Sequence, residues 1–368
     1  MNTIANSLLA RACALVFAFL AAFGSSAQVP EFELDRDWPE LPLGNKWLTG
    51  GLGGMCIDQQ DHLYLLNRQN VVEADLDGAR LAPPIIELNP EGKVVRGWGD
   101  PARLGGRLHD CHVDSAQNIW VVAAATGYIQ KWSHEGTRKL MQIGESAVFD
   151  SSDGTRRGLP LNSDNAQFFL PAAIDIDGTT GNIYVADGEL PGGNSRIAVV
   201  DRTGKFLHQW RLARNPSEGD IIELPHCLRI SHDGLVYVCD RRADRIQVFT
   251  LAGELVDIFD ASFTAITDPA GRDSGDRGSA VVLAFSHDVE QKYLYVVNQN
   301  SVRVDILDRS SGEKLGSFGE GPGRYPGQFE LPHAIAVDSL GNVYVAEQEG
   351  RRVQRFIDKR DSAGRLSN

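Results

Sequence analysis

Three histidines lie in similar sequence contexts, and their side chains could bind a metal ion together. His109, His226 and His333 each follow a Leu or Leu-Pro step and precede an alternating apolar run. Neutral imidazole nitrogens are common zinc ligands, and three of them leave a fourth position open for water or substrate. Such a metal polarises a bound oxygen or lowers the pKa of bound water. A single histidine in such a run is usually a hydrogen-bonded core residue, but the repeated pattern favours a zinc site.

Two arginines share a second position, directly after an apolar run. Arg68 follows LYLLN, and Arg241 follows LVYVCD. A guanidinium stays charged at any working pH and binds a carboxylate in bidentate geometry. We interpret the pair as an anion clamp near the metal, for a small-molecule or peptide substrate that carries a carboxylate. The alternative for Arg241 is a structural ion pair with Asp240 or Asp244, whereas Arg68 has no adjacent acid.

These residues belong to a repeat that occurs six times along the chain. Each copy contains two alternating apolar runs joined by a short polar turn, and a third and usually a fourth run follow. The copies begin at Leu52, Leu108, Leu170, Leu224, Ser279 and Leu331. Period-two alternation predicts β-strands, and four-stranded repeats of roughly 50 residues are typical of β-propeller blades. We therefore predict an all-β, six-bladed β-propeller that forms a single domain over residues 28–368.

A closed ring would bring the distant histidines together. The first strand of each blade lines the central channel of a propeller, and one column of residues opens these strands. From blade one to blade six the column reads Gly53, His109, Ala172, His226, Val281 and His333. Histidine occupies alternate blades, so we expect the three side chains to converge on the axis. The sixth copy ends after three strands near Arg360, and residues 29–47 are expected to supply its fourth strand.

Loop lengths predict which face of the ring carries the site. The turns between first and second strands and between third and fourth strands are short, and both sets belong to one face. The opposite face receives the long connections 144–169, 188–195, 213–223, 261–278 and 320–330. Long loops on one face of a rigid scaffold commonly carry function. Candidate acids and bases on this face are Asp110, Tyr128, Glu189 and Tyr325.

Composition excludes several classes of protein. With 42% hydrophobic residues, the chain is not of the disordered type. Its formal net charge of -13, from 36 Lys and Arg against 49 Asp and Glu, argues against nucleic acid as a partner because phosphate would be repelled. The chain has no GxSxG, HExxH, P-loop or dinucleotide-binding fingerprint.

The N-terminus is typical of a cleavable signal peptide. Arg11 precedes an apolar run over residues 12–23, and small residues at Ser25 and Ala27 precede Gln28. A run of this length is too short to span a bilayer comfortably, so no membrane span is expected. We predict a signal peptide over residues 1–27, and a secreted or periplasmic protein.

Four cysteines remain after such a cleavage, and all four lie inside apolar, strand-like runs. They are Cys56, Cys111, Cys227 and Cys239. An oxidising compartment would permit disulfides, but this placement favours buried free thiols. No CxxC pair is present, which argues against a thiolate zinc site.

The repeats resemble NHL repeats, and the chain after residue 27 resembles the six-bladed peptidyl-α-hydroxyglycine α-amidating lyase. The resemblance is densest over AQFFLPAAIDIDGTTGNIYVADG, NSRIAVVDRTGKFLHQW, LPHCLRISHDGLVYVCDRRADRIQVF and ELPHAIAVDSLGNVYVAE. That lyase cleaves a carbinolamide into a peptide amide and glyoxylate. The resemblance implies that His109, His226 and His333 bind zinc and that Arg68 and Arg241 act in the active site.

The chain also departs from that family. The family's catalytic tyrosine should follow Gly188, where this chain has Glu189 and no tyrosine in the loop. Glu189 or a metal-bound hydroxide would then act as the base. Ala334 replaces an aspartate that helps to bind a structural calcium, so calcium is expected only if Asp110 compensates. Tyr237 and Val248 replace the cysteines of a family disulfide, and the cysteine beside the tyrosine is also absent.

The sequence as a whole predicts a secreted, monomeric, zinc-dependent carbon–nitrogen lyase. Its substrate would be carbinolamide-like or another α-hydroxy compound. One alternative is a metal-dependent propeller hydrolase that acts on a lactone or ester. The other is a non-catalytic NHL-repeat binding protein, in which the metal would be structural.

Overall fold

The computed structural model describes residues 28–44, 46–150, 164–189, 193–214, 223–262 and 277–360. The predicted signal peptide, residues 1–27, lies outside the described residues. Parts of four long connections also lie outside them, namely residues 151–163, 190–192, 215–222 and 263–276.

Strands dominate the described part of the chain. Strands β1 (Phe32–Leu34) and β2 (Trp47–Leu48) precede blade one, which contains β3 (Leu52–Ile57), β4 (Leu63–Asn67), β6 (Ile85–Leu88) and β7 (Val94–Trp98). The connection between β4 and β6 contains the helix α1 (Glu73–Leu76) and β5 (Arg80–Leu81), which pairs in parallel with β2. The helix α2 (Pro101–Leu104) leads to blade two, formed by β8 (Leu108–Val113), β9 (Ile119–Ala123), β10 (Tyr128–Trp132) and β11 (Lys139–Ile143).

The remaining blades follow the same plan. Blade three contains β12 (Pro171–Ile176), β13 (Ile183–Asp187), β14 (Arg196–Val200) and β15 (Phe206–Arg211). Blade four contains β16 (Pro225–Ile230), β17 (Leu235–Asp240), β18 (Arg245–Thr250) and β19 (Leu255–Asp260), with a 3-10 turn at Arg241–Ala243. Blade five contains β20 (Val282–Phe285), β21 (Tyr293–Asn298), β22 (Arg303–Asp308) and β23 (Lys314–Phe318). Blade six contains β24 (Pro332–Val337), β25 (Val343–Glu347) and β26 (Val353–Asp358).

The N-terminal strand closes the ring, as the sequence predicts. In blade six the strand order is β1-β26-β25-β24, and β1 pairs antiparallel with β26 through Phe32 and Asp358. The first strands of neighbouring blades contact one another around the whole ring, including β24 with β3. The predicted all-β, six-bladed propeller is therefore confirmed.

Burial within each blade falls from the channel outwards. The first and second strands are almost wholly buried, as in β3 and β4, whereas the fourth strand β19 is mostly exposed. The hydrophobic core lies between adjacent blades, where Tyr64 and Leu66 of blade one pack with Val121 and Trp132 of blade two. Because the inner strands are packed on both faces, the residues at the channel are rigidly placed.

The structure corrects the expectation of free thiols. Cys56 and Cys111 form a disulfide that joins the first strands of blades one and two, with Cα atoms 5.4 Å apart. Cys227 and Cys239 form a second disulfide between paired positions of β16 and β17, with Cα atoms 4.9 Å apart. The expected burial was right, but the pairing was missed because it depends on strand register and on the closeness of neighbouring blades at the channel. Both Cα separations lie in the range that disulfides require.

The two described helices are four residues each, and no helix in the described ranges is long and apolar enough to cross a lipid bilayer.

Candidate metal site

The three predicted histidines converge in the channel. They lie on the first strands of blades two, four and six, and each side chain is buried. Their ring centroids are 4.8 to 5.2 Å apart, and one nitrogen of each ring lies within 4.8 Å of the other two. Three imidazoles from separate blades therefore face a common point on the axis.

An irregularity in strand pairing places each histidine. The register between first and second strands shifts across His109, across His226 and across His333. The same shift occurs at Gly53 and Ala172, the equivalent residues of blades one and three. Bulges of this kind redirect a side chain and are common beside active sites. In these five blades the shift occurs at the equivalent residue, the one that opens the first strand.

The blades between the histidines supply their hydrogen-bond acceptors. In each histidine, Nδ1 bonds the backbone oxygen of the column residue in the next blade, at 2.7, 2.7 and 3.0 Å. These partners are Ala172 for His109, Val281 for His226 and Gly53 for His333. A carbonyl can only accept, so Nδ1 carries the proton and Nε2 presents a lone pair. This arrangement is typical of histidines that bind metal through Nε2.

The donor set fits a metal ion. Burial, followed by the charge of Arg241, holds the pKa of His226 well below its usual value, and burial with the charge of Arg68 does the same for His333. Both rings are therefore neutral near pH 7. The buried Nε2 of His109 has no hydrogen-bond partner among the described residues, and an unpartnered buried nitrogen is costly. Three imidazole nitrogens aimed at one point are suited to a transition metal.

Arg68 lies beside this point with part of its guanidinium unused. It follows β4, and its Nε donates to the backbone oxygen of Leu108 at 3.3 Å. Its buried Nη2 has no hydrogen-bond partner within the described residues. A Cβ atom on Gly53 would lie 2.4 Å from Arg68 Nε, so the glycine makes room for this side chain. Burial, with smaller contributions from Arg107 and Arg241, lowers the pKa of Arg68 to about 10, and the group remains charged at neutral pH.

Arg241 contacts one of the histidines directly. Its Nη1 donates to His226 Nε2 at 3.2 Å, its Nη2 to Gln299 Oε1 at 2.8 Å, and its Nε to the backbone oxygen of Arg277 at 2.6 Å. Asp240, one of the two acids considered as its structural partners, forms an ion pair with Arg245 at 2.9 Å. The guanidinium of Arg241 is thus held against the metal-binding point.

Glu189 is the carboxylate at this point. It is wholly buried directly after β13, and its Oε1 lies 2.5 Å from Arg107 Nη2 and 3.1 Å from His109 Nε2. Burial raises the pKa of Glu189, but the contact with His109 and the charge of Arg107 outweigh burial and hold the pKa well below its usual value. Glu189 is therefore ionised across the physiological pH range, with its buried Oε2 unpartnered among the described residues.

Arg107 is a site residue that the sequence reasoning missed. It occupies the repeat position that holds Leu170, Leu224 and Leu331 in blades three, four and six. A charged residue at a position otherwise occupied by leucine was the signal that could have identified it.

The other candidate acids and bases lie elsewhere. Tyr128 is buried in the core between blades one and two, and Tyr325 is 77% exposed. Asp110 lies below the histidines, where its two carboxylate oxygens bind Arg229 at 2.9 and 3.0 Å. Asp110 is the residue through which calcium was expected to bind, and a guanidinium occupies both of its oxygens.

The channel is nearly filled below the histidines. The void between the histidines and Arg229 has a volume of about 10 Å³, which is room for about one water molecule. A ligand of larger size must therefore approach the histidines from the face that carries the long loops.

Comparisons with known proteins agree with this fold. No family model matches the chain. NHL repeat-containing protein 3 of Mus musculus is 25% identical over 331 residues, covering 89% of this chain and 84% of that protein. Peptidyl-glycine alpha-amidating monooxygenase B of Xenopus laevis is 29% identical over 349 residues, covering 88% of this chain but 35% of that protein. The chain thus spans about a third of the amidating monooxygenase.

A solved structure shows the same fold. Virginiamycin B lyase from Staphylococcus aureus superposes with a TM-score of 0.51 and 17% sequence identity, covering 88% of this chain and 85% of that one. The predicted resemblance to NHL-repeat and amidating proteins is confirmed, and the protein is a six-bladed β-propeller with a three-histidine group that could bind a metal.

Proposed function

We propose that this protein is a secreted or periplasmic, zinc-dependent carbon–nitrogen lyase. Its substrate would be a carbinolamide-like or other α-hydroxy compound with a carboxylate. The observation that carries the proposal is the convergence of three imidazoles with the guanidinium groups of Arg68 and Arg241 in one buried site. Similarity to amidating monooxygenases over 88% of the chain supports the same chemistry.

In this proposal the two arginines bind the substrate. Arg68 directs an unpartnered, buried N–H group into the site, and Arg241 is fixed there by Gln299. Their charges would hold the carboxylate and stabilise negative charge that develops on the reacting oxygen. A substrate without a carboxylate would leave two buried cations uncompensated and should react slowly.

Glu189 would move the proton in this reaction. A zinc ion on His109, His226 and His333 would lower the pKa of the substrate hydroxyl. This is needed because a carboxylate of low pKa is a weak base and accepts a proton only from a sufficiently acidic donor. Glu189 would accept that proton at Oε2 and return it to the departing amide nitrogen. The O–H and C–N bonds break, and a C=O bond and an N–H bond form. The products are an amide and an α-oxo acid.

A structural metal is the second candidate. Structural zinc sites are closed by four protein ligands, whereas catalytic sites keep a position open. Glu189 lies close enough to His109 to fill the fourth position, which favours an NHL-repeat binding protein over an enzyme if the carboxylate cannot leave. A metal-dependent lactone or ester hydrolase is the remaining alternative for the same residues.

The proposed location and assembly rest on separate observations. Two disulfides are stable in an oxidising compartment, which supports export from the cytosol. We propose that residues 1–27 direct that export, and that the exported chain acts as a monomer that binds neither nucleic acid nor membrane.

The test is a metal analysis combined with a product assay. Protein purified with zinc should contain about one zinc per chain and should release glyoxylate from an N-acyl-α-hydroxyglycine peptide. Removal of zinc with a chelator should stop the release, and added zinc should restore it. Zinc-loaded protein that yields no glyoxylate would overturn the lyase proposal. An ester and a lactone serve as parallel substrates, because their hydrolysis would identify the alternative enzyme.

A further inference from the structure

We infer that Glu189 is a fourth, displaceable ligand of the metal, and that Arg107 holds it when it leaves. The inference deepens the proposed function and rests on it only in requiring that the three histidines bind a metal. It assigns a role to the residue that follows Gly188, and it adds Arg107 to the site.

The first observation is that two lone pairs face each other. In the neutral form of His109 the ring proton at Nδ1 bonds Ala172, so Nε2 presents a lone pair. Glu189 Oε1 lies 3.1 Å from that nitrogen, and both atoms belong to buried side chains. Two acceptors at this distance repel each other in a medium of low dielectric unless a cation or a proton lies between them.

A metal ion satisfies more of the site than a proton does. A proton between His109 and Glu189 would pair only those two groups. It would also add an imidazolium to a site that contains Arg68, Arg107 and Arg241. A metal would instead satisfy the lone pairs of all three histidines and the carboxylate together, because the three rings face one point, and it would replace the bond from Arg241 Nη1 to His226 Nε2.

The distance agrees with ligation by both atoms. Zinc binds imidazole nitrogen at about 2.0–2.1 Å and carboxylate oxygen at about 2.0–2.2 Å, which puts two ligands of a tetrahedral ion about 3.3–3.5 Å apart, slightly more than the separation seen here. The observed separation of Nε2 and Oε1 is 3.1 Å. Glu189 therefore needs no movement of its backbone to complete the coordination.

Arg107 makes the ligand displaceable. Its Nη2 lies 2.5 Å from the same Oε1, so the oxygen has a second cationic partner when it leaves the metal. The backbone that leads into Glu189 is anchored, because the N–H groups of Gly188 and Glu189 both donate to the oxygen of Leu170. A small rotation of the side chain could thus open the fourth position for a substrate oxygen while Glu189 stays charged and paired.

Metal affinity and the cobalt spectrum test this inference without relying on turnover. Glu189→Gln keeps the shape of the side chain and removes its charge. Zinc affinity should fall at least about 10-fold. Loss of a residue that only hydrogen-bonds to a metal ligand already costs about this much, and loss of a ligand should cost no less. The visible spectrum of the cobalt-substituted protein should also change. Arg107→Met should alter the spectrum less, because the carboxylate remains.

Glu223→Gln is the matched control. Glu223 is another buried glutamate, which precedes blade four and pairs with Arg214. The zinc affinity and the cobalt spectrum of the Glu223→Gln variant should equal those of the unmodified protein. If circular dichroism shows that the Glu189→Gln variant does not fold, Glu189→Ala replaces it in the test. The same loss of zinc affinity is expected for Glu189→Ala.

The outcomes separate this inference from the proposed lyase. An unchanged affinity and spectrum in the Glu189 variants would overturn the ligand role, even if the unmodified protein releases glyoxylate. A changed spectrum in a protein that releases no glyoxylate would support the ligand role and overturn the lyase. Failure of the unmodified protein to bind a metal would overturn both.

Discussion

The channel of the propeller contains two polar layers that are completed differently. In the upper layer, Arg68, Arg107, His109 and Glu189 each have a buried polar atom with no partner among the described residues. In the lower layer, Asp110 pairs with Arg229, and Asp175 pairs with His112 at 2.9 Å. Within the described ranges, every buried polar atom of these four side chains has a hydrogen-bond partner.

This contrast separates function from support. Buried polar groups left unsatisfied by the protein are costly, so they indicate a site that a ligand completes. Satisfied ion pairs across the channel tie blades two, three and four together and need no ligand. His226 in the upper layer is only three positions from Arg229 in the lower one. Residue type alone would therefore have assigned both layers the same importance.

Loss of one histidine should have the largest effect, and it should be confined to the upper layer. In His226→Ala the metal loses one of three nitrogens, so we expect less than about a tenth of the zinc content and no measurable turnover. Zinc content is measured by mass spectrometry after dialysis. His62→Gln is the control, because His62 lies in a turn on the opposite face and bonds Glu87. Full zinc content in His226→Ala would remove the basis for calling the upper layer a metal site.

Removal of Arg229 should affect the lower layer and stability. Arg229→Met leaves the buried carboxylate of Asp110 without its bidentate partner, and we expect the free energy of unfolding to fall by about 3 kcal/mol. Urea denaturation of the metal-free protein measures this change. The double variant Arg229→Met/Asp110→Leu should recover most of the loss, because no unpaired charge remains. An equally unstable double variant would show that the pair is not the cause.

Arg68 should affect catalysis without affecting zinc. Arg68→Lys keeps the charge but loses the fork that binds a carboxylate, and we expect kcat/KM to fall about 100-fold, as when one donor to a developing oxyanion is removed. Zinc content should stay unchanged. Arg242→Met is the control variant, because Arg242 is exposed and is the neighbour of Arg241. If Arg68→Lys lowers kcat/KM equally for a substrate without a carboxylate, carboxylate binding is not its role.

The smallest expected effect is that of acid, which should act on the upper and the lower layer at different pH values. Metal binding requires neutral histidines, so zinc should dissociate as the pH falls below the usual histidine pKa of about 6.5. Burial raises the pKa of Asp175, but the bond from His112 and the charges of His112 and Arg229 outweigh it and hold the pKa below the usual value.

The sign of the linkage follows from that direction. Because the folded pKa of Asp175 lies below its unfolded value near 4, its contribution is present above about pH 4 and is lost as the pH falls further. Each pH unit in that window should cost up to about 1.4 kcal/mol. Zinc release and thermal unfolding measured against pH should therefore give two separate transitions. A single coincident transition would show that the layers are coupled.

Several features of the site were accessible from the sequence because they repeat. The six copies predict the blades, and the column of residues that opens the first strands places His109, His226 and His333 in alternate blades. The position after the second strands identifies Arg68 and Arg241. Periodicity carries this information because every blade buries the same positions. The closing strand β1 was predicted for the same reason, since an unfinished blade leaves an edge that must be paired.

Other features depend on contacts between blades and have no periodic signature. The Cys56–Cys111 disulfide requires that two first strands approach each other at the channel. The ion pair of Arg107 with Glu189 joins residues 82 positions apart in the chain. Nothing in the local pattern around either residue indicates its partner.

The sequence by itself determined the ring, the number of blades and the three-histidine group, because binary patterning and repetition specify which face of each strand is buried. Only the tertiary structure decided which polar residues are already satisfied and which await a ligand. That distinction depends on hydrogen-bond distances between blades, such as those from the histidines to Ala172, Val281 and Gly53. These contacts are fixed by how the ring closes, and not by the order of residues within any one blade.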